Sequence, residues 1–90
     1  RYLPPETLMK RRFTTKSDVW AFAVTAWEII SGGMLPYWEL ADEAEVKRKV
    51  SQGYRLARPQ ELDNHWEQLW KTLRDCWDTN PKARPSFQDI

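Results

Sequence analysis

The sequence predicts an all-α fold, and three observations carry that prediction. The twelve residues from Val19 to Ile30 include only two polar ones, Thr25 and Glu28. Such a run reads as a helix buried on nearly every side, since a surface helix shows one apolar stripe and one polar face. Further along, Trp66, Leu69, Trp70, Leu73, Cys76 and Trp77 fall at i, i+3, i+4, i+7, i+10 and i+11, an amphipathic helical stripe. Strand signals are weak along the whole chain.

The elements follow in order. The first sixteen residues show no clean period. Pro4 and Pro5 block a helix interior, so "LPPE" is expected to be extended or turning, and "KRRFTTK" a solvated loop anchored by Phe13. The central buried helix is expected over about 18–31, capped by Ser17 or Asp18 and stopped at Gly32 and Gly33. A loop with apolar anchors leads to a second helix over about 42–52. Asp42 and Glu45 form a capping-box pattern at its start, and Gly53 stops it. Glu43–Lys47 and Glu45–Lys49 are spaced for i,i+4 pairing, which places this helix at the surface. After a loop over 53–64, a third helix is expected over about 65–77 with Asn64 as its cap. Ser86 is expected to cap the start of a further helix at 86–90.

Composition narrows the chemistry. A net charge of +1 gives no basic surplus for nucleic acid, and helix 42–52 offsets its lysines with glutamates. No apolar run is long enough to span a bilayer. His65 and Cys76 are the only residues of their kinds, so neither a metal cluster nor a nucleophile–base pair can be assembled around them. The glycines of "SGG" stop a helix and do not form a phosphate loop. The run Lys10-Arg11-Arg12 reads as a solvated loop, with an acidic or phosphorylated partner as the alternative. Glu6 follows two prolines and Arg84 precedes one, so each side chain projects from stiff backbone. A carboxylate and a planar guanidinium pair bidentately where a fold brings them together.

In their order and spacing, "LPPETL", "FTTKSDVWAFAVTAWEI", "GYRLARP" and "CWDTNPKARPSFQDI" resemble the C-terminal lobe of a protein tyrosine kinase catalytic domain, most nearly receptors of the insulin-receptor and Trk type. The resemblance implies that residues 1–90 are the C-terminal part of a kinase domain, truncated at both ends. Pro4, Pro5 and Glu6 resemble the Ala-Pro-Glu motif that closes the activation segment. The resemblance also pairs Glu6 with Arg84. It makes Asp18 an anchor for the catalytic loop and Arg1, Tyr2 and Leu3 part of the substrate floor, and it matches Trp20, Trp27 and the Cys76-Trp77 pair to the family's tryptophans and Cys-Trp. With Phe22 of the apolar run and Leu69 and Leu73 of the stripe, these are the expected core. Ala23 stands where the family has Gly, Tyr2 where it has Trp, and His65-Trp66 where Cys-Pro is common.

The intact parent implied by this likeness uses ATP and magnesium to phosphorylate tyrosines of protein substrates, in the cytoplasm. Its catalytic Asp, ATP-binding Lys and magnesium Asp lie outside these residues, so the 90 residues alone are expected to be inactive. Their partners would be the remainder of the kinase domain and the substrate, with no nucleic acid and no membrane span. The alternative is a pseudokinase or docking module. Breaking a buried Glu6–Arg84 pair is expected to cost a few kcal/mol, and exchanging the two charges to restore part of it.

Overall fold

Pro4 and Pro5 begin a helix instead of preventing one. In the structure, a computed structural model describing residues 1–60 and 62–90, α1 runs Pro5–Lys10. Glu61, inside the loop expected over 53–64, lies outside the described residues. Pro4 is the N-cap and Pro5 the first helical residue, a position whose N–H has no intrahelical acceptor to lose. The expectation of an extended or turning stretch through Pro5 and Glu6 is therefore corrected: proline bars a helix interior, not its first turn. Arg11 ends α1 in the left-handed region at φ 54°.

The central helix, α2, is Thr15–Ile30 and starts earlier than expected, because Thr14 and not Ser17 or Asp18 is its cap. The Thr14 hydroxyl accepts from the N–H groups of Lys16 (3.1 Å) and Ser17 (3.3 Å). Ser17 Oγ accepts from the Thr14 N–H in return (3.1 Å), which completes a reciprocal capping box. Gly32 and Gly33 stop the helix as expected, at φ 80° and 90°, and the Gly33 N–H closes on the Glu28 carbonyl at 2.7 Å.

Helix α3 spans Glu43–Ser51, with Asp42 accepting from the Glu45 N–H at 2.9 Å. The return arm of the expected box goes one residue astray: Glu45 accepts from Ala41, not Asp42. Asn64–Trp66 is a 3-10 turn capped by Asp63, and α4, Glu67–Cys76, follows it. The expected helix 65–77 is thus shorter as an α-helix, and Asp63 replaces Asn64 as the cap. A 3-10 turn, Pro81–Ala83, precedes Arg84. At 86–90, where the start of a further helix is expected, a single turn forms, with Asp89 Oδ2 accepting from both the N–H and the hydroxyl of Ser86. Among the described residues there is no strand, and no helix is long and apolar enough to cross a membrane.

The core lies between α2 and α4, with α3 and the loops closing its edges. α2 contributes Val19, Trp20, Ala23, Val24 and Trp27; α3 Val46 and Val50; α4 Trp70, Leu73 and Cys76; and Trp77, Tyr37, Leu40 and Leu56 complete it. Trp70 and Trp77 meet edge to face at 5.8 Å. Ala23, at the position where the resemblance implies Gly, is fully buried, so its methyl is part of this packing.

Three expected anchors are corrected. Phe13 is exposed, as is Trp66 of the α4 stripe, and Phe22 is 45% exposed, resting edge-on against Phe87. Leu69 sits half-buried at the core's margin. Phe22 has a geometric reason. The molecule measures 37 × 34 × 18 Å, and a helix with its side chains is about 10–12 Å across, so its thin axis has room for about two helix layers and a helix in one layer meets the other on one side only. α2 is therefore covered on one side, and Asp18, Phe22, Thr25 and Ile29 form an exposed stripe along the other.

Candidate functional site

Glu6 lies in the first turn of α1, oriented by the two prolines before it. Arg84 is extended (φ −74°, ψ 146°), a conformation favoured ahead of Pro85. The fold brings these residues together from opposite ends of the chain. Arg84 Nη1 donates to Glu6 Oε2 at 2.7 Å, and Nη2 to Oε1 at 2.8 Å, a bidentate fork. The arginine side chain has no exposed surface, and that of Glu6 retains 15%.

The remaining donors are also used. Arg84 Nε donates to the Asp78 carbonyl at 2.8 Å, and Nη1 also to the Lys16 carbonyl at 3.2 Å. Lys16 Nζ in turn donates to the Arg84 carbonyl at 2.7 Å, lashing the start of α2 to the same point. Burial pushes the Glu6 carboxyl up, but the hydrogen bonds and charge of Arg84, its own backbone and Ser17 together outweigh that and hold it below its usual value.

Beneath the pair lies Trp20. The Arg84 guanidinium carbon is 4.8 Å from its ring centroid, and Arg55 stands at the same distance. Arg55 is a structural residue that sequence reasoning missed. Its fork donates to the carbonyls of Trp77 (2.7 Å), Val50 (2.9 Å) and Tyr54 (2.8 Å) and to Thr79 Oγ1 (2.8 Å). No local signal marks it, since most of its acceptors are backbone carbonyls whose positions depend on the fold. Burial lowers its pKa, assisted by Arg84 and opposed by Tyr37 and Asp78.

The other expected residues are placed as follows. Arg1 donates to Glu43 (2.7 Å) and to the carbonyls of Pro36 (2.9 Å) and Tyr37 (2.7 Å), while the Tyr2 hydroxyl donates to Glu28. The first residues are thus pinned to α2 and to the loop before α3, with Leu3 40% exposed beside them. Asp18 is exposed in the first turn of α2 and its side chain makes no hydrogen bond among the described residues. Trp27 Nε1 donates to the Ala57 carbonyl at 2.8 Å. Cys76 is fully buried, and burial pushes its thiol up to about 11, with a further rise from Asp75.

This arrangement ties distant segments together. Among the described residues no three acidic, His or Cys side chains converge to hold a metal ion, and the Glu6 carboxylate is committed to Arg84. These residues do not fit a nucleotide–magnesium site, and no chemical step is derived from them.

The chain is 38% identical to Ephrin type-A receptor 5 of Rattus norvegicus, 40% to Ephrin type-A receptor 3 of Danio rerio, and 38% to Inactive tyrosine-protein kinase 7 of Gallus gallus, each over all of its 90 residues. It spans only 8–9% of the length of those relatives. The insulin-receptor/Trk subgroup expected from the motifs is not confirmed by these likenesses. A family model described as protein tyrosine and serine/threonine kinase matches residues 1–90, and the chain belongs to that family.

Proposed function

We propose that these residues are the scaffold of the large lobe of a protein tyrosine kinase, whose intact form transfers the γ-phosphate of ATP to protein tyrosines. The observation that carries this reading is the buried Glu6–Arg84 fork in a chain of this family, because it locks a motif resembling the end of an activation segment to the far end of the lobe. The exposed α2 stripe of Asp18, Phe22, Thr25 and Ile29 supports it, as a face suited to receive the remainder of the domain. Asp18 then anchors the catalytic loop from the N-terminal end of that stripe. Arg1 to Leu3, held against Pro36, Tyr37 and Glu28, form part of the substrate floor. ATP, magnesium and the catalytic Asp belong to the rest of the parent. We assign the segment to the cytoplasm, in keeping with one buried, free thiol.

A second reading has an observation of its own: one relative at 38% identity is named an inactive tyrosine-protein kinase. The deciding experiment is phosphotyrosine formation by the purified parent domain with ATP and magnesium. Activity that disappears when the upstream catalytic Asp is replaced supports the enzyme. An inert, folded parent without His-Arg-Asp and Asp-Phe-Gly motifs supports the pseudokinase. The 90 residues alone are expected to be inactive under either reading, and phosphorylation by them would overturn the division of labour proposed here.

A further inference from the structure

The basic run Lys10-Arg11-Arg12 takes no part in the Glu6–Arg84 tie, and the fold gives it a setting that the sequence conceals. Lys10 and Arg12 line a cleft of ≈ 640 Å³, and Lys82, from the turn before Arg84, lines it as well. Pro5, Met9 and Pro81 supply apolar wall, with Met9 60% exposed despite being a large hydrophobe. Two other charged groups of the lining are already used: Glu6 by Arg84, and Lys16 by the Arg84 carbonyl. Among the described residues, the side chains of Lys10, Arg12 and Lys82 have no carboxylate within ion-pair distance.

Unpaired cations beside an apolar wall make a positive potential along the cleft, which attracts anionic side chains. The methionine is suited to receive an apolar side chain of varied shape. We propose that this cleft docks an acidic linear peptide of a partner protein, with an apolar residue laid on Met9 and flanking carboxylates on Lys10, Arg12 and Lys82. A peptide fits better than the other anionic polymers. A phosphodiester chain has no apolar side chain for the Met9 wall, and a lipid surface demands a protruding patch, not a recess. The proposal is independent of whether the parent transfers phosphate.

The test is fluorescence anisotropy of the intact parent domain with a labelled peptide Glu-Glu-Glu-Leu-Glu-Glu-Glu, and with its all-Gln counterpart. The acidic peptide is expected to bind on the order of tenfold more tightly than the Gln peptide, and to weaken as salt is raised. The double variant Lys10→Glu/Lys82→Glu and the single variant Met9→Asp are each expected to lose affinity on the order of tenfold. Their melting should be unchanged, because these side chains are exposed. Equal binding of the two peptides, or unchanged affinity in both variants, overturns the proposal. Sedimentation of the domain with phosphatidylserine vesicles, when the peptide does not bind, overturns it too.

Discussion

Arg84 has no exposed surface while Glu6 keeps an edge in solvent, so the two halves of the pair are not equivalent. Removing Glu6 strands a fully buried cation against carbonyls and a ring. Removing Arg84 leaves a carboxylate that water can reach. Glu6→Ala in the parent domain is expected to cost about 3–5 kcal/mol by denaturant melting. The exchange Glu6→Arg/Arg84→Glu is expected to recover little, contrary to what charge symmetry suggests. A carboxylate at 84 would face the carbonyls of Asp78 and Lys16, which accept from the guanidinium now.

Acid should weaken the same pair. Glu6 in the unfolded chain titrates near the ordinary value of 4.5, and in the folded protein below it. In that window the unfolded state binds more protons, so stability falls as pH falls and is fully present above the unfolded value. A stability–pH curve for Glu6→Gln is expected to be flatter below the ordinary value than that of the parent. Identical slopes would mean that Glu6 titrates alike in both states.

At the scale of the element, caps set the boundaries. Thr14 closes both arms of a box with Ser17, so Thr14→Ala is expected to cost about 1 kcal/mol. Asp18, expected with Ser17 as an alternative cap of α2, caps nothing, so any cost of Asp18→Ala in the parent domain is expected to come from the proposed catalytic-loop contact and not from the helix start. Arg11 ends α1 with a left-handed backbone and an exposed side chain. Arg11→Gly is expected to stabilise by about 0.5–1 kcal/mol, because glycine adopts that conformation without penalty. A lowered melting temperature would show that the arginine side chain has a partner of its own.

The whole molecule is an 18 Å slab whose central helix is open along one side. Phe22, Ile29, Leu35, Trp38 and Phe87 are each at least 45% exposed. Apolar exposure on this scale favours association or a further covering layer. The isolated 90 residues are therefore expected to melt broadly or aggregate, as monitored by far-UV circular dichroism and light scattering. A sharp, reversible transition by a monomer would show that the slab is self-sufficient.

Helix order, approximate bounds and most of the core were legible in the sequence. Apolar periodicity, glycine stops and caps act within a turn or two, where neighbours in sequence are neighbours in space. The pattern misses α1, because proline bars a helix interior and not a first turn, and it places the start of α2 at Ser17 or Asp18 where Thr14 is the cap. Phe22 lies on the open side of α2, which periodicity does not reveal: it marks a helix as apolar all round, not which side is covered. The Glu6–Arg84 contact was only implied by a resemblance, and Arg55 was invisible.

By itself, the sequence determined that this chain is helical, where its helices stop, and which kinase motifs it carries, because those depend on short-range backbone and side-chain preferences. Only the tertiary structure decided that Glu6 and Arg84 meet across a separation of 78 residues, that two guanidiniums stand over Trp20, and that one side of α2 stays open. Each of these depends on the path of the whole chain, which no local preference encodes.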